Sequence, residues 1–301
     1  MNLRLDPEHI TLKSGGLKIF CFAWTTWKPQ DVALLQEVRH AFKQCDSYRI
    51  FSDRQPFAGQ EADVVAVHVS QQHKGREDEK WLYHRNMAGL MPSWSHLLQE
   101  DVSANYDWLV NVEFDHFLLT QKLRRSIASY MLLLQQGHPE QRQAAKGPLM
   151  LMFGNAFLFN RMMVSEMKRQ WPRLGETAPS GHEASGCPTF MQDRFEWPLA
   201  CSQDIAYPNL VAVMNPQVPA YGSSGCGQKP EDFPLTCFEL ERQPVQELGL
   251  DQLGLVRTLA ESFSNRSGSS WSAVLRTAQD VPLFHHLSDP NARKLARELL
   301  E

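Results

Sequence analysis

Short, wholly apolar runs alternate along this chain with longer stretches whose apolar residues keep helical spacing. The first run, residues 17–24, is bounded by Gly15-Gly16 and Thr25-Thr26 and predicts a buried strand. Pro29 and Asp31 then open a helix whose core positions are Leu34, Leu35, Val38, Ala41 and Phe42. Residues 48–52 predict a second strand and residues 62–69 a third. Residues 77–100 predict a helix that Pro92 ends or kinks. Strand alternating with helix is the signature of an α/β protein on a largely parallel sheet.

Residues 108–112 predict a further buried strand, and it stops abruptly on Glu113 and Asp115, with Phe114 between them. A second apolar patch follows at 117–119. Thr120 is expected to cap a helix with core positions Leu123, Ile127, Tyr130, Met131 and Leu134 and a stop at Gly137. Residues 149–160 read as one strand interrupted by Gly154-Asn155, with a helix running on to Trp171. Regularity is lost over 172–198, where Gly, Pro, Ser and His accumulate. Such a loop is more often a binding lid or insertion than a connector. Apolar residues resume over 205–214, and 222–234 is turn-rich and carries Cys226. Two helices, 245–264 and 291–300, flank Phe284-His285-His286. With no repeat, low-complexity tract or linker, residues 1–301 read as a single domain.

Composition narrows the classes. The chain is 43% hydrophobic and 21% charged, ordinary for a globular protein, and its net charge of -4 argues against a nucleic-acid binder. Lys122, Arg124 and Arg125 cluster, but on a predicted helix, where a solvated face is expected. No apolar run is long enough to span a bilayer, and the first residues lack a signal-peptide core. The chain therefore reads as soluble as given, with an anchor elsewhere left open. The 6 cysteines fit three disulfides or six free thiols, and no Cys-x-x-Cys pair suggests structural zinc. With the sequon Asn265-Arg266-Ser267, they lean toward an oxidising, secretory compartment.

A buried strand that delivers acids to its carboxyl end puts them where open α/β sheets bind ligands. The plainer reading is that Glu113 and Asp115 solubilise a strand end. The order of landmarks, however, resembles the Fringe and core 1 β-1,3-galactosyltransferase superfamily. Residues 19–26 (IFCFAWTT) look like its first strand and residues 45–53 (CDSYRIFSD) like its second. Residues 108–115 are similar to the run carrying its Asp-Asp-Asp metal motif, and 154–160 to its Gly-rich segment. Gln203-Asp204-Ile205 falls where the family has an acidic pair, and Phe284-His285 is similar to its late Phe-His. The resemblance spans residues 17 to 287.

The resemblance implies a GT-A-like fold: one domain with a Rossmann-type, mostly parallel central sheet flanked by helices. Its nucleotide-binding half would be about 17–120 and its acceptor side about 121–301. It implies an inverting transfer of a hexose, galactose first, from a UDP-sugar to a glycan or glycopeptide hydroxyl. Mn²⁺ or Mg²⁺ would balance the diphosphate's charge. Asp115 and His285 match the metal ligands, with Glu113 acting through water or the ribose. Asp204 matches the general base, although Ser202 or Asp204 could equally cap a helix. Glu183 and Glu196 are next in line. Thr25, Thr26, Asp53 and Arg85 fall where the nucleotide would sit. Loop 175–198 and the turn near Tyr221 would hold the acceptor. The family has cysteines at a spacing similar to Cys21 and Cys45, and a strand-helix-strand unit can bring the two within bridging distance, so a disulfide is expected there. The Golgi lumen would be the compartment of a eukaryotic member, and a homodimer is compatible with it.

The departures define the rivals. Glu113-Phe114 replaces the first two aspartates of the metal motif, His116 follows in place of a small polar residue, and Gly154 alone remains of the Gly-rich segment. A non-catalytic relative, a binding module or partner chaperone, would tolerate those changes. An intracellular α/β protein of another class would keep its cysteines reduced.

Overall fold

A computed structural model describes residues 13–26, 29–53, 63–69, 79–153, 156–177, 187–191, 203–214, 221–223, 237–239, 251–254, 256–257, 283–285 and 287–300. Its centre is a seven-stranded sheet ordered β3-β2-β1-β4-β7-β6-β8. The strands are β1 (Ile19–Thr25), β2 (Ser47–Ser52), β3 (Val64–Ala66), β4 (Trp108–Asn111), β6 (Met150–Phe153), β7 (Ala156–Asn160) and β8 (Tyr221–Ser223). The first four run parallel, so their carboxyl ends share one edge. This is the α/β architecture with a mostly parallel, helix-flanked sheet that the alternation predicts.

Every residue of β1 is buried because both its faces are covered. Ile19, Cys21 and Ala23 pack beneath α1 (Pro29–Phe42) and α3 (Thr120–Gln136). Phe20, Phe22 and Trp24 pack on the other side, against α2 (Glu79–Gln99), α5 (Arg161–Leu174) and α6 (Gln203–Met214). The period of two along β1 thus divides two cores. Gly89 lets α2 lie directly on the strand end: a Cβ there would stand 2.2 Å from Cε2 of Trp24. α2 runs on through Pro92 as one helix.

A small second sheet, β5-β10-β9, joins distant segments. β5 (Phe117–Leu118) pairs antiparallel with β10 (Leu283–His285), which pairs parallel with β9 (Cys237–Glu239). Ala292 and Ala296 of α7 (Pro290–Leu300) close over Phe117 and Phe284. A six-residue helix, α4 (Pro139–Ala144), follows α3. Most of the expected acceptor loop, including Glu183 and Glu196, lies outside the described residues, as do most of helix 245–264 and Asn265.

Three local expectations need correction. Residues 149–160 are a hairpin rather than one interrupted strand, because β6 and β7 pair antiparallel from Met150↔Phe159 to Phe153↔Ala156. Thr120 does not cap α3; Leu119 holds the cap position, and the Thr120 hydroxyl is buried and donates to the Ala41 carbonyl at 3.4 Å. Arg124 is not on a solvated face. It is buried, donates to the Leu17 and Gln44 carbonyls, and pairs with Asp46 at 2.8 Å. A guanidinium is tolerated there because its donors meet two carbonyls and a carboxylate.

Cys21 and Cys45 are joined, with their Cα atoms 6.1 Å apart, and Cys187 is also disulfide-bonded. Among the described residues no cysteine is free. No helix among the described residues is long and apolar enough to cross a membrane.

Candidate metal and nucleotide site

The acidic stretch leaves the sheet at its carboxyl edge. β4 pairs with β1 up to Phe22↔Asn111, and Val112 still donates to the Phe22 carbonyl at 3.1 Å, so Glu113 emerges beside the end of β1. Val112 and Phe114 share the core face of Trp108 and Val110, and Phe114 is buried there. Phe114 therefore packs where a third carboxylate would otherwise stand.

The chain then turns on itself. The Glu113 N–H donates to Nδ1 of His116 at 2.7 Å, and the His116 N–H returns to the Glu113 carbonyl at 3.2 Å. This closed turn places ligand atoms of Glu113, Asp115 and His116 within 4.8 Å of one another. Opposed ligands of an ion the size of Mg²⁺ stand about 4 Å apart, so a small closure would seat one. Carboxylate oxygens also suit Mn²⁺. The residues fit a hard or borderline divalent cation.

His116 was not a candidate from the sequence, and its chemistry in the turn is specific. Because Nδ1 accepts the Glu113 N–H, the neutral ring carries its proton on Nε2. In this arrangement the imidazole offers a donor rather than a lone pair, which leaves the carboxylates of Glu113 and Asp115 as the groups of this turn that could hold a metal.

Arg293, on α7, also escaped the sequence reading. It is 1% exposed, its Nε donates to the Leu287 carbonyl, and its Nη2 donates to the Phe114 carbonyl at 2.5 Å. Burial pushes this guanidinium down to about 10, with Asp115, then Glu37 and Asp31, opposing the fall, so it stays cationic at neutral pH. Four residues on, Arg297 pairs with Glu37 of α1 at 2.5 Å.

The expected nucleotide residues lie along the same edge. Thr25 donates its hydroxyl to Asp31 at 2.9 Å, and the Thr26 N–H reaches the same carboxylate at 3.3 Å, which fixes the β1–α1 junction. Both threonines are buried. Asp53 directly follows β2, next to the Thr25↔Ser52 pair. For Arg85, Asp204 and His285 the backbone is placed in α2, α6 and β10, and their side chains lie outside the described residues.

One of those backbones lies beside the turn. β10 pairs Phe284 with Phe117, and one more step of that antiparallel register sets the His285 backbone opposite His116. Asp204 lies within the first turn of α6 rather than before it. One turn on, Tyr207 is fully buried; its hydroxyl accepts from the Trp94 indole at 2.9 Å and donates to Oδ1 of Asn111 at 2.9 Å. Burial pushes this phenol far up, and the Glu113 charge adds to the rise against the Trp94 bond.

No family model matches the chain, and no curated protein matches it. Among solved structures, a glycosyltransferase involved in the glycosylation of the major capsid of PBCV-1 aligns with a TM-score of 0.36 and 10% identity, covering 93% of this chain and 99% of that one. At that level the likeness carries no argument, and the functional reading rests on the site.

Proposed function

We propose that this chain is a metal-dependent hexosyltransferase of the GT-A kind that takes a UDP-sugar donor. The observation that carries the reading is the closed turn bearing Glu113 and Asp115 at the carboxyl edge of β1 and β4. Asp115 would hold Mn²⁺ or Mg²⁺, with Glu113 acting through water or the ribose and His285 of β10 as the further candidate ligand. A cation held there would supply neutralisation of the charge that grows on the departing diphosphate. Thr25, Thr26 and Asp53 line the nucleotide's edge of the sheet, and Arg85 is the candidate partner of its phosphates.

Asp204 is the general base of an inverting transfer. The acceptor hydroxyl oxygen bonds to the anomeric carbon, its proton passes to the Asp204 carboxylate, and the bond to the diphosphate oxygen breaks on the opposite face. The acceptor is a glycan or glycopeptide and the hexose is galactose, both by resemblance to the Fringe and core 1 superfamily. The Cys21–Cys45 bond supports an oxidising compartment such as the Golgi lumen.

A second reading has its own support. Phe114 is buried packing in place of a carboxylate, and His116 Nδ1 is engaged by the backbone, so the donor set is lean. A non-catalytic relative that binds nucleotide or a protein partner would need no more.

Calorimetry with Mn²⁺, uridine diphosphate and the two together, on wild type and Asp115→Ala, tests the proposal. Weak binding of metal alone, strong binding of the pair and loss of that coupling in Asp115→Ala are expected. Equal nucleotide affinity with and without metal overturns the metal role. Metal-coupled binding without donor hydrolysis or transfer favours the non-catalytic relative.

A further inference from the structure

Arg293 brings a fixed positive charge to the acidic turn from a helix 179 residues away in sequence. Its guanidinium is buried, held on one side by the Leu287 carbonyl and on the other by the Phe114 carbonyl, immediately before Asp115. Its neighbour on the helix, Arg297, pairs with Glu37, whereas Arg293 donates into the turn region at the Phe114 carbonyl. A buried guanidinium is costly unless carboxylates compensate it, and here Asp115 leads that compensation, ahead of Glu37 and Asp31.

A lone divalent ion and a divalent ion carrying a diphosphate meet this charge differently. The lone ion would sit at Asp115, one residue on from the carbonyl that holds a guanidinium that cannot leave, and the two cations repel. A diphosphate arrives with its own oxygens and negative charge, which both the metal and Arg293 attract. We infer that Arg293 is a built-in counter-cation that makes the acidic turn select a metal–diphosphate complex over the bare metal ion. This rests on the metal reading above and adds to it a residue that sets specificity.

Titration of Mn²⁺ alone, and of Mn²⁺ with uridine diphosphate, into wild type, Arg293→Gln and Arg293→Lys tests the inference. Gln keeps a donor for the Phe114 carbonyl without the charge, whereas Lys keeps the charge without the planar fork. Arg293→Gln is expected to bind Mn²⁺ alone about tenfold more tightly, and Arg293→Lys to stay near wild type. Unchanged or weaker Mn²⁺ binding in Arg293→Gln, or a Lys variant that behaves like the Gln variant, overturns it.

Thermal unfolding of Asp115→Asn, without metal, covers the case in which Arg293→Gln does not fold. If Asp115 compensates Arg293, its midpoint falls, because a buried cation loses its leading partner. If it rises, as relief of repulsion between neighbouring acids would give, the inference is overturned. Absence of Mn²⁺ binding to wild type under both conditions removes the metal reading itself. Tight wild-type binding with unaltered variants removes the counter-cation alone.

Discussion

The Tyr207 hydroxyl donates to Oδ1 of Asn111 at 2.9 Å, joining the helix that begins with Gln203-Asp204 to the strand that ends in the acidic turn. The same hydroxyl accepts from the Trp94 indole, so three buried side chains from α2, α6 and β4 share one oxygen. Tyr207→Phe keeps the ring and strands an indole N–H and an amide oxygen. Each buried orphan costs about 1–3 kcal/mol. Urea unfolding should therefore show a loss of about 2 kcal/mol or more, whereas a loss under about 0.5 kcal/mol would mean that both groups find other partners.

Asp204→Asn should leave metal-coupled nucleotide binding nearly intact and lower turnover by about 10²-fold or more. The pair of measurements separates chemistry from architecture. If binding fails along with turnover, Asp204 supports the start of α6; if turnover survives, the base lies elsewhere.

The Cys21–Cys45 bond closes a sequence separation of 24 residues between β1 and the start of β2. Loop closure of that length contributes about 3 kcal/mol. A Cys21→Ala, Cys45→Ala double variant should lose roughly this much in denaturant unfolding. Alkylation of both thiols in the native, oxidised protein would contradict the bond.

Acid should weaken the β2–β3 side of the sheet first. Burial pushes the Asp63 carboxyl up, but hydrogen bonds from Arg39 and the Tyr48 hydroxyl outweigh it and hold the group below its ordinary value. A carboxyl depressed in the folded state adds stability above its unfolded pKa, about 4, and that stability is lost as pH falls through the folded value. Urea midpoints measured from pH 6 downward should fall below about pH 4, and Asp63→Asn should flatten that fall. An identical acid limb in the variant would place the sensitivity on other carboxylates.

Much of the sheet was legible because it is buried on both faces. IFCFAWT carries no polar interruption before its threonine, so β1 announces itself, and the alternation after Trp108 already separates Phe114 from Glu113 and Asp115. The hairpin at 149–160 was not legible, since MLMF and AFLFN are equally apolar and periodicity does not encode direction. Arg124 was misplaced because its partners come from Leu17, Gln44 and Asp46, which no local pattern brings together. Arg293 gave no signal at all for the same reason, its carbonyl partner being 179 residues away. His116 was visible only as a departure; its bond to the Glu113 N–H depends on how tightly the turn closes.

The strand that pairs with Phe117 and Leu118 comes from residues 283–285, and the arginine that grips Phe114 follows at 293. A ribosome making this chain releases β1, β2 and β4 long before either. The parallel half of the sheet can therefore form early, while the acidic turn waits for residues 283–293. Order of synthesis makes the candidate site later than its scaffold, and a chain cut short before residue 283 would carry the scaffold without its lock.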